Sequence, residues 1–253
     1  MYSKIAKMII AFSWGLLATI SLTLGGVIGL LFTIGRRPLG LIMAFGAGVL
    51  ISAVSYELVF EAIKGATGTG ATLIGFFAGA LTFFVCDMMI TRYGANGRKG
   101  ISGSLKPNFA LPIVLGTILD GIPESLVIGM GLLGGGKVSL GMLVAVFISN
   151  LPEAIAGTSG MVSGGWSRKK IILLWLLISV VCAFASVAGY GLLTGASPFT
   201  ISFIQAFAAG AILVMLSNTM IPEAYEHGGK LAGIFTVLGF AVAVSIAVLE
   251  KSN

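Results

Sequence analysis

The chain reads as eight long apolar blocks separated by short polar or glycine-rich breaks. The blocks fall near residues 8–34, 39–63, 70–91, 109–132, 139–161, 171–193, 199–222 and 231–249. An α-helix needs about 20 apolar residues to cross a hydrocarbon core of about 30 Å, and every block comes close to that length or exceeds it. Within the blocks the apolar residues run on without alternation. This excludes the tilted, alternating ten-residue strands of a membrane β-barrel, the other way of satisfying a backbone in lipid. The breaks carry turn-forming residues: Arg36-Arg37-Pro38, Gly68-Thr69-Gly70, Gly134-Gly135-Gly136, Gly164-Gly165, Thr194 to Pro198, and Gly228-Gly229. The pattern predicts an all-α integral membrane fold of eight transmembrane helices in a single domain over 1–253.

Composition agrees with this. Only 9% of the 253 residues are charged and 57% are apolar, against about 25% charged in ordinary globular domains. The 37 glycines suit helices that approach closely within a bilayer. Cys86 and Cys182, the two cysteines, lie inside apolar blocks and offer neither a disulfide framework nor a CxxC metal site; they read as small packing residues. The formal charge of +6 does not point to nucleic acid, because the basic residues are scattered at block ends. The first block is too long for a removable signal peptide and ends in an arginine pair.

Those basic residues also orient the chain. Arg36, Arg37, Arg92, Arg98, Lys99, Lys106, Arg168, Lys169, Lys170 and Lys230 follow the odd-numbered blocks, whereas Lys4, Lys7, Lys64, Lys137 and Lys251 lie on the other side. Positive charge is retained in the cytoplasm, so both termini are expected to face outward. The longest break, about 92–108, is then a flexible cytoplasmic loop rich in Gly, Ser, Asn, Lys and Arg.

A repeat lies within the blocks. Residues 44–62 and 206–224, aligned without a gap, share Ala44/Ala206, Phe45/Phe207, Ala47/Ala209, Gly48/Gly210, Ser55/Ser217, Glu61/Glu223 and Ala62/Ala224. The second and seventh spans run in opposite directions, so the match predicts an inverted-topology repeat, a feature of alternating-access transporters.

The chemistry concentrates in spans four and five. Asp120 and Glu124 are four residues apart and share a helix face, as do Asn150 and Glu153 at a spacing of three. All four fall near the middle of their spans, where a charged side chain costs at least about 2.5–3.5 kcal/mol. Pro123 and Pro152 precede the two glutamates and have no N–H to donate to the carbonyls of Leu119 and Ile148. Three carboxylates, a carboxamide and two released carbonyls are hard oxygen donors of the kind that bind a divalent cation. Neither span contains a basic residue that would neutralise the acids. Protonated carboxyls bonded across a helix pair, or a proton path through the same residues, are the competing readings.

Other polar positions are weaker candidates. Glu57 falls in the outer half of span two, at an entrance or at the interface, and Asp87 is one turn from Arg92 near the cytoplasmic interface. Glu223, Glu226 and His227 end span seven as an exit site or as a solvated helix end, while Asn218 and Thr219 are candidates for the path itself. Met130 and Met161 read as packing residues.

At these motifs the sequence resembles the ZIP (Zrt/Irt-like) family of divalent metal transporters, over nearly its whole length. The family's His-Asn-x-Pro-Glu pattern in span four matches as Asp120-Gly121-Ile122-Pro123-Glu124, its Pro-containing pattern in span five as Ser149-Asn150-Leu151-Pro152-Glu153, and Ile221-Pro222-Glu223-Ala224 is similar to the end of span seven in bacterial members. The resemblance implies a 3+2+3 helix arrangement with inverted outer triplets and a metal centre on spans four and five, sometimes binuclear. Glu124, Glu153 and Asn150 carry over directly, and Asp120 as a changed ligand. Gly121 and Ser149 replace usual ligands, and span six has no carboxylate. An all-oxygen site shifts preference from Zn²⁺ toward Mn²⁺ or Fe²⁺.

The expected function is a secondary transporter that moves divalent cations (Zn²⁺, Mn²⁺ or Fe²⁺) across the plasma membrane, the bacterial inner membrane, with Asp120, Glu124, Asn150 and Glu153 as metal ligands. A proton or small-solute transporter with titrating carboxylates is the alternative. An enzyme is not expected: the sole histidine is at a span end, and no Gly-x-Gly-Asp motif pairs with a second intramembrane Asp. No prosthetic group is expected. The expected partners are the ion and the bilayer, with no nucleic acid; a homodimer is left open.

Overall fold

A computed structural model describes residues 2–66, 70–92 and 110–251; the expected loop over 92–108 lies, from residue 93 onward, outside the described residues. The described residues form helices α1 (Tyr2–Leu31), α2 (Arg36–Gly65), α3 (Ala71–Arg92), α4 (Ala110–Met130), α5 (Leu140–Ser163), α6 (Arg168–Leu193), α7 (Pro198–Gly228) and α8 (Leu231–Lys251). Among the described residues, α1, α2, α3, α5, α6, α7 and α8 are long and apolar enough to cross a membrane; α4 has 21 residues.

Helix ends depart from the apolar blocks where local chemistry allows it. α1 starts at Tyr2 and not near residue 8, because the two lysines of its first turns tolerate a helix that protrudes into polar surroundings. α2 begins at Arg36, so the arginine pair lies in the helix's first turn. α7 runs six residues past its apolar block to Gly228, since Pro222 stands at the start of a segment that follows an irregular turn, where its missing N–H costs little. Between α4 and α5 the chain reverses through Leu133–Gly135, with Gly134 and Gly135 at φ of 63° and 85°, a conformation that residues with a Cβ rarely adopt.

Burial ranks the helices. Two thirds of the apolar window of α2 and of α5 is buried, half of α7, and only 17% of α3 and α8. α2, α5 and α7 are therefore central, and α3 and α8 present large apolar side chains such as Phe77 and Val237 outward. α2 lies along α8 and α7 along α3; α1 lies along α5 and α4 along α6; α1 meets α6 and α2 meets α7. Exchanging α1 with α6, α2 with α7, α3 with α8 and α4 with α5 maps this set of pairs onto itself.

The matched segments of α2 and α7 repeat at atomic detail. A Cβ on Gly48 of α2 would overlap the carbonyl oxygen of Thr236 in α8, and a Cβ on Gly210 of α7 would overlap that of Phe76 in α3. In return, Gly239 of α8 and Gly79 of α3 abut the carbonyls of Phe45 and Phe207. The identities Gly48/Gly210 and Phe45/Phe207 thus mark the same close helix crossing in both places. Each helix also loosens into a π-helical turn shortly afterwards, over Val54–Val59 in α2 and Leu216–Met220 in α7. In the alignment the two turns begin at the same position, Val54 opposite Leu216.

Candidate metal centre

The helix interiors of α4 and α5 each contain a proline, Pro123 and Pro152. Around them, Asp120 (2% exposed), Glu124 (1%), Asn150 (2%) and Glu153 (4%) are all buried, together with Ser125 and Ser149. Ile122, on the opposite face of the same turn as Asp120 and Glu124, is exposed. On α4 the polar face of the proline turn therefore points into the protein and the apolar face outward, whereas the turn on α5 is enclosed on most sides, with Pro152, Ala154 and Ile155 buried and Ile148 and Leu151 half-buried. None of the described lysines and arginines is buried.

The surroundings of the two turns differ. α4 lies along α6 and not along α5, which it touches only over a short stretch. Although the connection between α4 and α5 is short, α6 lies along α4 and α1 along α5. Opposite Gly121 stands Cys182 of α6, fully buried, whose Sγ would be 2.7 Å from a Cβ at position 121. On α5, the carbonyl of Ile148 that Pro152 cannot use faces Gly46 of α2; a Cβ there would come within 3.5 Å of that oxygen and 3.1 Å of Met220 Cε in the π turn of α7. Both central helices thus reach the proline turn of α5. The amide nitrogen of Asn150 is buried with no hydrogen-bond partner among the described residues. Rotating the amide would bring its oxygen to the same place.

Among the described residues no three His, Cys, Asp or Glu side chains are grouped closely enough to hold a metal ion as they stand. The acids are buried on α4 and α5, but among the described residues they do not close into a ready-made three-carboxylate cage.

A second polar region lies where α2, α4 and α8 finish and α5 and α7 begin. A cavity of about 440 Å³ there is bordered by Glu57, Glu61, Lys137, Gln205 and Glu250, among others. Glu57 belongs to the π turn of α2, and its Oε1 abuts Gly141, the second residue of α5. The backbone N–H of Leu140 donates to Glu250 Oε1 at 3.2 Å, and the Ser139 hydroxyl to Glu250 Oε2 at 3.5 Å. Acidic side chains at a helix N-terminus interact favourably with its dipole. Glu61 forms an exposed ion pair with Lys64 at 2.9 Å. The weaker candidates are dispersed. Thr219 is buried and Asn218 exposed; Glu223 and His227 are half-buried and Glu226 is exposed, on the final segment of α7 that lies along the start of α2. Asp87 is half-buried in α3, Met130 lines the cavity, and Met161 is packed in a core around Trp175.

Sequence reasoning passed over Glu250 and Gln205 as cavity residues and treated Cys182 as packing alone. Glu250 closes a helix with no nearby motif, and only the α8–α5 contact gives it a partner.

Comparison with known proteins follows this geometry. A putative zinc transporter of Arabidopsis thaliana is 26% identical over 83% of the chain, which spans a third (33%) of that protein's length. The zinc transporter ZIP11 of Bos taurus is 24% identical over 94% of the chain and 94% of its own length. The zinc transporter ZupT of Chlorobium chlorochromatii is 26% identical over 96% of the chain and 98% of its own length. These similarities, two of them over nearly the whole chain, support membership of the ZIP family. No family model matches the chain. The similarity to named zinc transporters and the seven long apolar helices among the described residues together support a multi-pass membrane protein. Each of these three relatives is named as a transporter and none as an enzyme.

Proposed function

We propose that this chain is a secondary transporter that carries divalent metal cations across the plasma membrane, the bacterial inner membrane, with α4 as the eighth span and both termini outside. The observation that carries the proposal is the burial of Asp120, Glu124 and Glu153 with Asn150 at two proline-broken turns. Carboxylates in a low-dielectric interior cost several kcal/mol each, and a dication among them offsets that cost. The full-length relatives named as zinc transporters agree with it.

The ion enters from the cavity beside Glu57 and Glu250, which is on the outer side in this orientation. It loses water stepwise and is held by the carboxylates, the Asn150 amide and the carbonyls that Pro123 and Pro152 release. Because the acids are not grouped as a closed cage, the ion itself draws the α4 and α5 donors together, and release reverses that approach. The π turns of α2 and α7 are where those central helices bend as one bundle rocks against the other. Zn²⁺ is the cargo that the relatives' names suggest; the all-oxygen donor set admits Mn²⁺ and Fe²⁺ as well.

The test is uptake into proteoliposomes containing a metal-sensitive dye. Zn²⁺, Mn²⁺ or Fe²⁺ is expected to enter faster than into protein-free vesicles. If none of these nor Cd²⁺ enters, while protons or a small solute do, the metal reading is wrong.

A further inference from the structure

Another cavity, of about 380 Å³, lies at the end of the bundle where α4 and α6 finish and α1 and α7 begin. It shares Leu133 and Ile201 with the cavity beside Glu250, but no Asp or Glu among the described residues borders it. Its charged side chain is Lys7 of α1, which is half-buried, whereas Lys4 one turn earlier is exposed. Lys7 has no ion pair or hydrogen bond among the described residues. Tyr190, in the last turn of α6, also borders the cavity and is 5% exposed. Its hydroxyl makes no hydrogen bond among the described residues, yet it is not sealed in the core. A buried hydroxyl without a partner is costly, so this one is in place for a ligand. Part of the wall is bare backbone. Gly134, Gly135 and Gly195 have φ of 63°, 85° and 85°, with nothing within 4 Å of a Cβ built on any of them; a ligand can come close to such a surface. The N–H groups of Thr194 and Ala196 donate to the carbonyls of Tyr190 and Leu193, while that of Gly195 is not bonded among the described residues.

We propose that this cavity binds the phosphate of a phospholipid in the leaflet on the side of the N-terminus, the outer one in the orientation given above. The Lys7 ammonium and the Gly195 N–H can only donate hydrogen bonds, and the Tyr190 hydroxyl is free to donate. With no carboxylate in the described wall, these groups select an anion. A phosphate diester brings one negative charge for Lys7 and two unesterified oxygens to accept from the donors. The cavity is larger than a phosphate, and Leu132, Leu133 and Leu193 leave apolar room for the glycerol and the first acyl carbons. Leu192 and Phe199, next to the lining residues in the chain, are 81% and 47% exposed, which suits contact with acyl chains. Basic pockets between transmembrane helices are the usual seats of lipid head groups. A free phosphate ion offers the same oxygens but gains nothing from the apolar walls. The inference does not rest on the cation site.

The test is native mass spectrometry of the full-length protein in neutral detergent, with phosphatidylglycerol or a diglycosyl diacylglycerol of the same acyl chains added. One phosphatidylglycerol is expected to stay bound per chain, and the glycolipid, which has no phosphate, is expected to dissociate. Tyr190→Phe removes a single oxygen and should weaken phosphatidylglycerol binding about tenfold, the loss of one hydrogen bond to a charged group. Lys7→Gln should weaken it at least about fivefold, while Lys4→Gln, on the same helix but exposed, should leave it unchanged. Phosphatidylglycerol should also raise the unfolding temperature of the wild type more than that of Tyr190→Phe. Inorganic phosphate in large excess is expected not to displace the lipid; displacement that depends on Lys7 and Tyr190 would assign these donors to a free anion and overturn the lipid. Equal retention of the two lipids, unchanged binding in both Tyr190→Phe and Lys7→Gln, or an equal loss in Lys4→Gln overturns the proposal. None of these readouts involves metal, so their failure leaves the cation site standing.

Discussion

The carboxylate of Glu250, at the end of α8, accepts a 3.2 Å hydrogen bond from the backbone N–H of Leu140, the first residue of α5. Through it α8 meets the helix that carries Asn150 and Glu153, at the rim of a cavity that borders three glutamates. The contact supplies negative charge both to a helix N-terminus and to a cation entrance. Charge reversal separates the roles. Glu250→Lys is expected to slow metal uptake severalfold at low ionic strength, and the deficit should shrink as salt is raised, because exposed charges are screened over about 10 Å at 0.1 M. Uptake rates measured across a salt series check this; a deficit that does not depend on salt would make Glu250 a purely structural cap.

Replacing an acid by its amide keeps the shape and removes the charge. Glu124→Gln and Glu153→Gln are each expected to cut uptake by about 100-fold or more, while Asn150→Ala falls by about tenfold. Immunoblotting of the membrane fraction should give similar protein levels throughout. Wild-type uptake by both glutamine variants would take these residues out of the transport path.

The prolines are expected to trade stability for function. Pro152→Ala restores an N–H to the carbonyl of Ile148, a hydrogen bond worth about 1 kcal/mol, so the purified protein should unfold at a higher temperature. Uptake should drop, because that carbonyl is no longer available to an ion and the turn is less able to bend. Thermal unfolding and dye quenching on the same preparation test both halves; a variant that is more stable and equally active would reduce Pro152 to a passive kink.

The matched glycines make a prediction about the fold alone. Gly48→Leu and Gly210→Leu force a side chain into the carbonyls of Thr236 and Phe76, and overpacking of this kind costs about 1–3 kcal/mol or more. Both are expected to yield little monodisperse protein in detergent. Gly233→Leu, with nothing within 4 Å of its missing Cβ, should behave as wild type. Size-exclusion profiles distinguish the three, and an undamaged Gly48 variant would mean that the α2–α8 crossing is not as close as described.

The amino-acid sequence determined the features that depend on the solvent and on neighbours along the chain. Continuous apolar blocks specify helices for lipid, glycine pairs end them, and the i, i+4 spacing of Asp120 and Glu124 puts both on one face wherever the helix lies. The likeness of residues 44–62 to 206–224 was equally legible, because it is a property of the string. Its meaning was not. Only the tertiary structure paired Gly48 with Thr236 and Gly210 with Phe76, and placed a π turn at the same register in both helices. The partners of the site were decided at the same level. Cys182 is 61 positions from Gly121 and Glu250 is 110 from Leu140, and no periodicity relates residues on different helices. Their meeting depends on helix crossing angles, set by where small residues let backbones touch across the whole bundle.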